Sequence, residues 1–244
     1  MTHPLVRASR ASRASRSPRR ALVLTTAAVA ALLTLSSCGA APNGVQKENG
    51  AAIVRAAGVA LGSAHSFEIL ETLTDKGNTE SLTFDVEGKN EGGGSFTTSS
   101  LSFQAEELKG IDYFRSKTLW DQVGGATLQA ALGDRWVYLA ASSATAAELS
   151  QAFAGLTAPK SLASLLTSDA PKSVRGNATR VRGQPVIAVK EPKGGTIYIA
   201  TTGAPYPLRW VRGSQGSVDF RDFGKTFNLK VPKNAVNLAA ILAG

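Results

Sequence analysis

Cysteine occurs once in 244 residues, at Cys38, and histidine twice, at His3 and His65. A single thiol closes no disulfide within one chain, so the fold has to rest on its apolar core. A Ser–His–Asp or Cys–His hydrolase needs a histidine base beside its nucleophile. Here His65 stands alone in Ser63-Ala64-His65-Ser66 with no partner motif, at a helix-to-strand junction. It reads as a cap or a hydrogen-bonding loop residue. The same scarcity leaves no His/Cys set for a structural or catalytic zinc. Long apolar runs are also missing, and a dense basic patch interleaved with aromatics, the footprint of nucleic-acid binding, is not found beyond the first twenty residues.

Other motifs fail on spacing. Gly224-Lys225-Thr226 has the ending of a phosphate-binding loop, but Asp219 stands where that loop needs its earlier glycine. Among carboxylates that could serve a glycosidase, Asp219 and Asp222 are three apart, and Glu106 and Glu107 are adjacent. On strands each pair points to opposite faces. Asp219 and Arg221 would share a face as an exposed pair. The expectation is a protein that is not an enzyme and holds no cofactor and no metal.

What is present begins with the leader. The first twenty residues carry six arginines (Arg7, Arg10, Arg13, Arg16, Arg19 and Arg20) and no acid. An uncharged stretch follows over residues 21–46, most apolar between Leu22 and Leu35. A basic segment, a short apolar segment and then small residues is the layout of a secretory signal peptide. Its end, Leu35-Ser36-Ser37-Cys38-Gly39, reads as a lipobox: an aliphatic residue, two small residues beside the cut, and a cysteine whose thiol takes a diacylglyceryl group. The alternative, an uncleaved anchor, needs roughly 20 mostly apolar residues. This stretch is diluted by Thr25, Thr26, Thr34, Ser36 and Ser37. Ser17-Pro18-Arg19-Arg20 is a loose twin-arginine match, which leaves both export routes open. Removing the six leader arginines from 27 basic residues leaves 21 against 18 acidic ones, so the formal charge of +9 falls to +3. The expected product is a monomer anchored through Cys38 to the outer face of the cytoplasmic membrane.

Cleavage before Cys38 leaves 207 of the 244 residues, enough for one domain with a core. Residues 39–50 look like a flexible tether, and 51–244 like a single domain. A helix is predicted over 51–64, with Ile53, Val54, Ala57 and Leu61 on one face. The period then changes to two. Phe67, Ile69 and Glu71 alternate with Glu68, Leu70 and Thr72, and Leu82, Phe84 and Val86 alternate with Thr83, Asp85 and Glu87. Further strands are predicted at Phe96, at Leu101–Phe103–Ala105, at 111–115 and at 135–139, with a short loop or helix near 124–132. Helices are expected over 144–156, carrying Leu149 and Phe153, and over 161–166. Strands return at 174–180, 185–190, 196–201, 208–212, 217–223 and 226–231. Short turns between so many strands imply antiparallel pairing. The class is α+β: a single curved antiparallel sheet, a half-open barrel, with helices over its concave face. Aromatics stand throughout: Phe84, Phe103, Tyr113, Trp120, Trp136, Tyr138, Phe153, Trp210 and Phe220. Periodicity alone leaves open whether they fill a core or line a hollow.

The order of short pieces resembles the LppX/LprAFG group of actinobacterial lipoproteins, which share the fold of the periplasmic carrier LolA. The pieces are the lipobox at 35–38, Ser63-Ala64-His65, Lys109-Gly110-Ile111-Asp112-Tyr113, Leu119-Trp120-Asp121, Gly183-Gln184-Pro185-Val186, Thr196-Ile197-Tyr198-Ile199, Gly203-Ala204-Pro205-Tyr206-Pro207-Leu208-Arg209, residues 220–224 and Val231-Pro232. The resemblance implies binding or carriage of an acylated lipid or glycolipid between sheet and helices. The candidate cavity residues are Leu82, Phe84, Val86, Leu101, Phe103, Leu149, Phe153, Ile197 and Ile199. The alternative use of the same fold is an envelope protein-interaction or signalling module without lipid cargo.

Cys38→Ala is expected to abolish lipidation and to release the protein or leave it unprocessed. Labelled palmitate should enter the wild type and not the variant; equal incorporation would sink the lipobox reading.

Overall fold

The computed structural model describes residues 40–75, 77–139 and 158–242, all within one compact unit, Gly39–Gly244. Cys38, Leu149 and Phe153 lie outside the described residues, as does the helix expected over 144–156.

Helix α1 (Gly50–Gly62) opens the domain. The Asn49 side chain caps it by accepting a hydrogen bond from the Ala52 amide, and Ile53, Val54, Ala57 and Leu61 are all fully buried on one face. Five strands follow: β1 (Ser66–Asp75), β2 (Asn78–Glu87), β3 (Glu91–Thr97), β4 (Ser102–Leu108) and β5 (Ile111–Arg115). Helix α2 (Lys117–Leu132) starts earlier than the sequence suggested, because Ser116 accepts from the Leu119 amide. It breaks at Gly124 and Gly125, whose backbone angles are not helical. Strand β6 (Val137–Leu139) and helix α3 (Pro159–Thr167) come next, then β7 (Val174–Val181), β8 (Gln184–Lys190), β9 (Thr196–Ala200), β10 (Pro207–Val211) and β11 (Gly216–Arg221). A two-residue strand, β12 (Val236–Asn237), and a short helix, α4 (Leu238–Leu242), close the chain.

The strands form one open sheet in the order β12-β6-β5-β4-β3-β2-β1-β11-β10-β9-β8-β7. Every pair is antiparallel except β12 with β6, so the sheet is mixed rather than purely antiparallel. A parallel pair needs a long crossover. Here the connection from β6 to β12 runs through the whole second half of the sheet, and its last part, residues 222–235, returns from β11 as an extended strap across the outer face. Gly224 donates to the Ser66 carbonyl, the Phe227 amide to Glu87, and Leu229 rests beside Gly93 before Val236 joins β6. The strand expected over 226–231 is therefore not a strand. Its alternation arises because an extended segment lying on a sheet also half-covers alternate side chains, here Phe227 and Leu229.

Alternation fixes the inner face. Pairing places Phe220, Ile69, Phe84, Gly94, Ala105, Phe114 and Val137 in one row across seven strands. Large side chains flank two small ones, and the Phe84 ring lies across Gly94. A Cβ on Gly94 would stand 2.0 Å from the Thr83 carbonyl oxygen and 2.7 Å from the Phe84 Cα. Helices α1 and α3 cover the row on the β2-to-β8 side, where Leu166 of α3 joins the core. Helix α2 covers it toward β6 through Leu119, Trp120, Leu128 and Leu132.

The strand ends define two rims. One, the lower rim, carries the turns at 88–90, 109–110, 182–183, 201–206 and 222–224. The stretch expected to be a flexible tether is docked to this rim. The Gly203 amide donates to the Ala41 carbonyl, Pro42 bridges Thr202, and Asn43 donates to the Thr201 carbonyl from its amide and to the Ala200 carbonyl from its side chain. Val45 is buried. Small and polar composition suggested a free linker, but these residues satisfy backbone groups past the end of β9.

Gly94→Ala should destabilise the domain by about 2–3 kcal/mol through overpacking against backbone atoms that cannot yield, measured by urea unfolding. A change under about 0.5 kcal/mol would contradict this register.

Candidate ligand-binding site

The structure gathers five of the sequence-derived cavity residues. Leu82, Phe84, Val86, Ile197 and Ile199 belong to one buried cluster with α1 and α3, and Phe84 is 1 % exposed. They pack against Ile53, Val54, Ala57 and Leu61 on one side and Leu166 on another. Leu101 and Phe103 fall in a second cluster under α2, where they are only partly buried; Phe103 also meets Phe96, with ring centroids 5.3 Å apart and planes tilted by 36°.

The apolar hollow sits elsewhere, at the lower rim. It has a volume of about 440 Å³ and lies between the end of α1, the β2–β3 turn and the start of α3. Gly62, Ala64, Ala158 and Pro159 form its apolar walls, and His65, Lys89, Asn90 and Lys160 stand at its exposed mouth. Its volume falls in the range of small-molecule sites, roughly 300–1,000 Å³. Two local devices build it. Gly88 donates to the His65 carbonyl at 2.7 Å, which ties the β2–β3 turn to the α1–β1 junction. Pro159 at the first turn of α3 needs no amide partner there, so the helix starts without a side-chain cap.

The hollow continues into a groove of about 560 Å³ between α1 and α3, with which it shares Gly62, Ser63 and Lys160. The groove exists because the helices meet through small residues. A Cβ on Gly58 would stand 2.3 Å from the Thr167 methyl, and one on Gly62 would stand 3.3 Å from the Ala163 Cβ. Along it Val59 is 74 % exposed, an apolar side chain left to solvent. The sequence reading missed this site. Its walls are glycine, alanine and proline at element junctions, where no periodicity marks a face.

His65 contributes its backbone carbonyl to the turn, as a loop residue does, and its side chain stands at the mouth. The carboxylates that suggested pairs do diverge. Glu106 takes the outer face, where burial raises its pKa, and neighbouring Glu107 takes the opposite face. Asp219 does not pair with Arg221. It accepts from Arg209 on the neighbouring strand at 2.8 and 2.9 Å and from Arg182 at 2.6 Å, while Arg221 meets Glu68. Residues opposite each other on adjacent strands stand closer than residues two apart along one strand, so cross-strand partners win. Among the described residues no group of three or more His, Cys, Asp or Glu could hold a metal ion, and no helix is long and apolar enough to cross a membrane.

Burial alone would raise the pKa of Asp219, but the hydrogen bonds from Arg209 and Arg182 outweigh it and hold the carboxyl below its usual range. A depressed carboxylate pKa contributes stability above its unfolded value and loses it as pH falls through the folded one. Asp219→Asn should therefore cost about 1–2 kcal/mol at pH 7, discounted for partial exposure, and progressively less in acid. Equal melting temperatures of the two proteins at pH 7 would contradict this.

The sequence matches no family model and no curated protein. Solved structures similar to it include LprF from Mycobacterium bovis, at 13 % identity and a TM-score of 0.48, covering 80 % of this chain and 99 % of that one. Another is the lipoprotein LppX from Mycobacterium tuberculosis, at 17 % identity and a TM-score of 0.46, covering 74 % of this chain and 97 % of that one. Both structural neighbours carry names from the LppX/LprAFG group that the sequence pieces resemble.

Proposed function

We propose that this chain is an exported, monomeric lipoprotein, held by a lipid on Cys38 at the outer face of the cytoplasmic membrane, that binds an acylated lipid or glycolipid without catalysis. The observation that carries the reading is the apolar hollow at the lower rim with its continuation between α1 and α3. Acyl chains gain about 0.8 kcal/mol for each methylene they bury. The walls at Gly62, Ala64, Ala158 and Pro159 offer that burial, while Lys89, Lys160, His65 and Asn90 suit a polar or anionic head group. In this reading the ligand lies at the rim and along the helix pair, not among Leu82, Phe84, Val86, Ile197 and Ile199. Leu101, Phe103, Leu149 and Phe153 stay as secondary candidates.

One observation favours the alternative, an interaction module. The inner face under α1 and α3 is packed by Phe84 and its neighbours. A filled core beneath an exposed apolar groove also suits a partner helix. Two variants separate the readings. Ala158→Trp puts an indole into the hollow and should weaken binding of a fluorescent diacyl lipid by roughly tenfold or more, with little change in melting temperature. Phe84→Trp should overpack the core and cost about 1–3 kcal/mol, yet leave lipid affinity nearly unchanged in the folded fraction. Absence of lipid binding by the wild type would rule out the carrier reading.

A further inference from the structure

The sheet is finished differently at its two edges. At one edge β12 adds two residues to β6 and passes at once into α4, and so short a strand offers little backbone to a partner. At the other edge stands β7, eight residues long and free of proline, with nothing paired to its outer side among the described residues. Pro185, opposite Arg180, turns its carbonyl toward β9, where it accepts from the Thr201 amide and hydroxyl. The amide and carbonyl of one residue share a side of the strand, and opposite residues of an antiparallel pair turn these groups either toward each other or both away. Arg180, and Ala178 two residues before it, therefore turn their backbone groups to the free side.

Side chains make this edge basic. Residues 170–190 hold Lys172, Arg175, Arg180, Arg182 and Lys190 and no acid. Arg182 is engaged with Asp219. Arg175 and Arg180 are exposed, donate to the backbone carbonyls of Gln46 and Gly183, and meet no carboxylate among the described residues. They are five apart, which would put them on opposite faces of a regular strand. The ladder shifts between Arg175 and Ala178, where three steps along β7 match two along β8. That bulge returns both arginines to one face. They stand opposite Val189 and Pro185, which are four residues apart. Ala178, on the same face, is exposed although Ile187 opposite it is buried, so the covering helices end short of this strand.

We propose that β7 is a docking edge for an extended, acidic segment of a partner protein, which adds a strand to the sheet. Its backbone pairs with Ala178 and Arg180, and two carboxylates four residues apart meet Arg175 and Arg180. Main-chain bonds then supply affinity and the charges supply selectivity. A second copy of this chain suits the edge less well, because β7 against β7 would set the arginines of both copies beside each other on one face. The inference does not depend on whether the apolar hollow carries lipid.

The test uses the purified full-length chain and the fluorescence anisotropy of a labelled seven-residue peptide of valine and threonine, with glutamate at its second and sixth positions. This peptide should bind at least about tenfold more tightly than its lysine counterpart. It should exceed by the same margin a copy N-methylated at alternate amides, which keeps the charge but cannot pair along an edge. Ala178→Pro removes an outward amide that the sheet does not use. It should weaken binding of the glutamate peptide at least about tenfold with little change in melting temperature. Arg175→Glu combined with Arg180→Glu leaves the backbone edge intact and should transfer the preference to the lysine peptide, which keeps the test decisive if the proline variant does not fold. A glutamate peptide that fails to bind, or an N-methylated copy that binds equally well, overturns strand addition. Unchanged preference in the double variant overturns the role of the arginines. Self-association of the chain in sedimentation, lost in Ala178→Pro, overturns the acidic partner in favour of a second copy.

Discussion

The structure depends on one-sided burial of a very wide sheet. Twelve strands present an inner face that must be covered along its whole width, and the chain does so with separate helices rather than by closing the barrel. The row from Phe220 to Val137 holds only where the strands keep register, because a slip of one residue would turn Phe84 and Ile69 to solvent and bring Asp85 and Glu68 inside. Glycine at position 94 leaves room for Phe84 beside it on the neighbouring strand. From this register follow the ends of the strands, and from the ends follow the rims on which both the docked N-terminal segment and the apolar hollow are found.

Much of that register was legible in the sequence. The alternation of Leu82, Phe84 and Val86 against Thr83, Asp85 and Glu87 reflects the cost of burying an unpaired carboxylate, and it placed those three residues inside together with Ile197 and Ile199. The helical face of Ile53, Val54, Ala57 and Leu61 was equally plain. Alternation carries no information on whether a buried face meets a void or another side chain. Here Phe84 meets α1 and α3 directly. The strap misled for a related reason: Phe227 and Leu229 alternate with exposed Thr226 and Asn228 because they lie on a sheet, not because they belong to it.

The candidate site was illegible for a different reason. Gly62, Ala64, Ala158 and Pro159 are separated by nearly a hundred residues and share no period. Small side chains at element junctions leave space by what they lack. The docking of Ala41, Pro42 and Asn43 was hidden likewise, since it uses backbone groups and one amide side chain, which any short polar stretch could offer. These two features turn an ordinary α+β fold into a specific arrangement, with the docked residues 41–43 and an apolar opening on the same rim. The inferred mechanism is physical rather than chemical. Acyl chains exchange one apolar surroundings for another, with cationic side chains at the boundary to hold the head group.

The central claim, that the protein binds an acylated lipid, is tested most directly by mass spectrometry of the organic extract of the lipidated chain purified from a native-like host. A lipid joined covalently to Cys38 would stay with the protein in that extraction and would not be counted. The account predicts a discrete acylated lipid or glycolipid in stoichiometric amount, depleted when Ala158 is replaced by tryptophan. An extract no richer in lipid than that of an unrelated lipoprotein purified in parallel would contradict it.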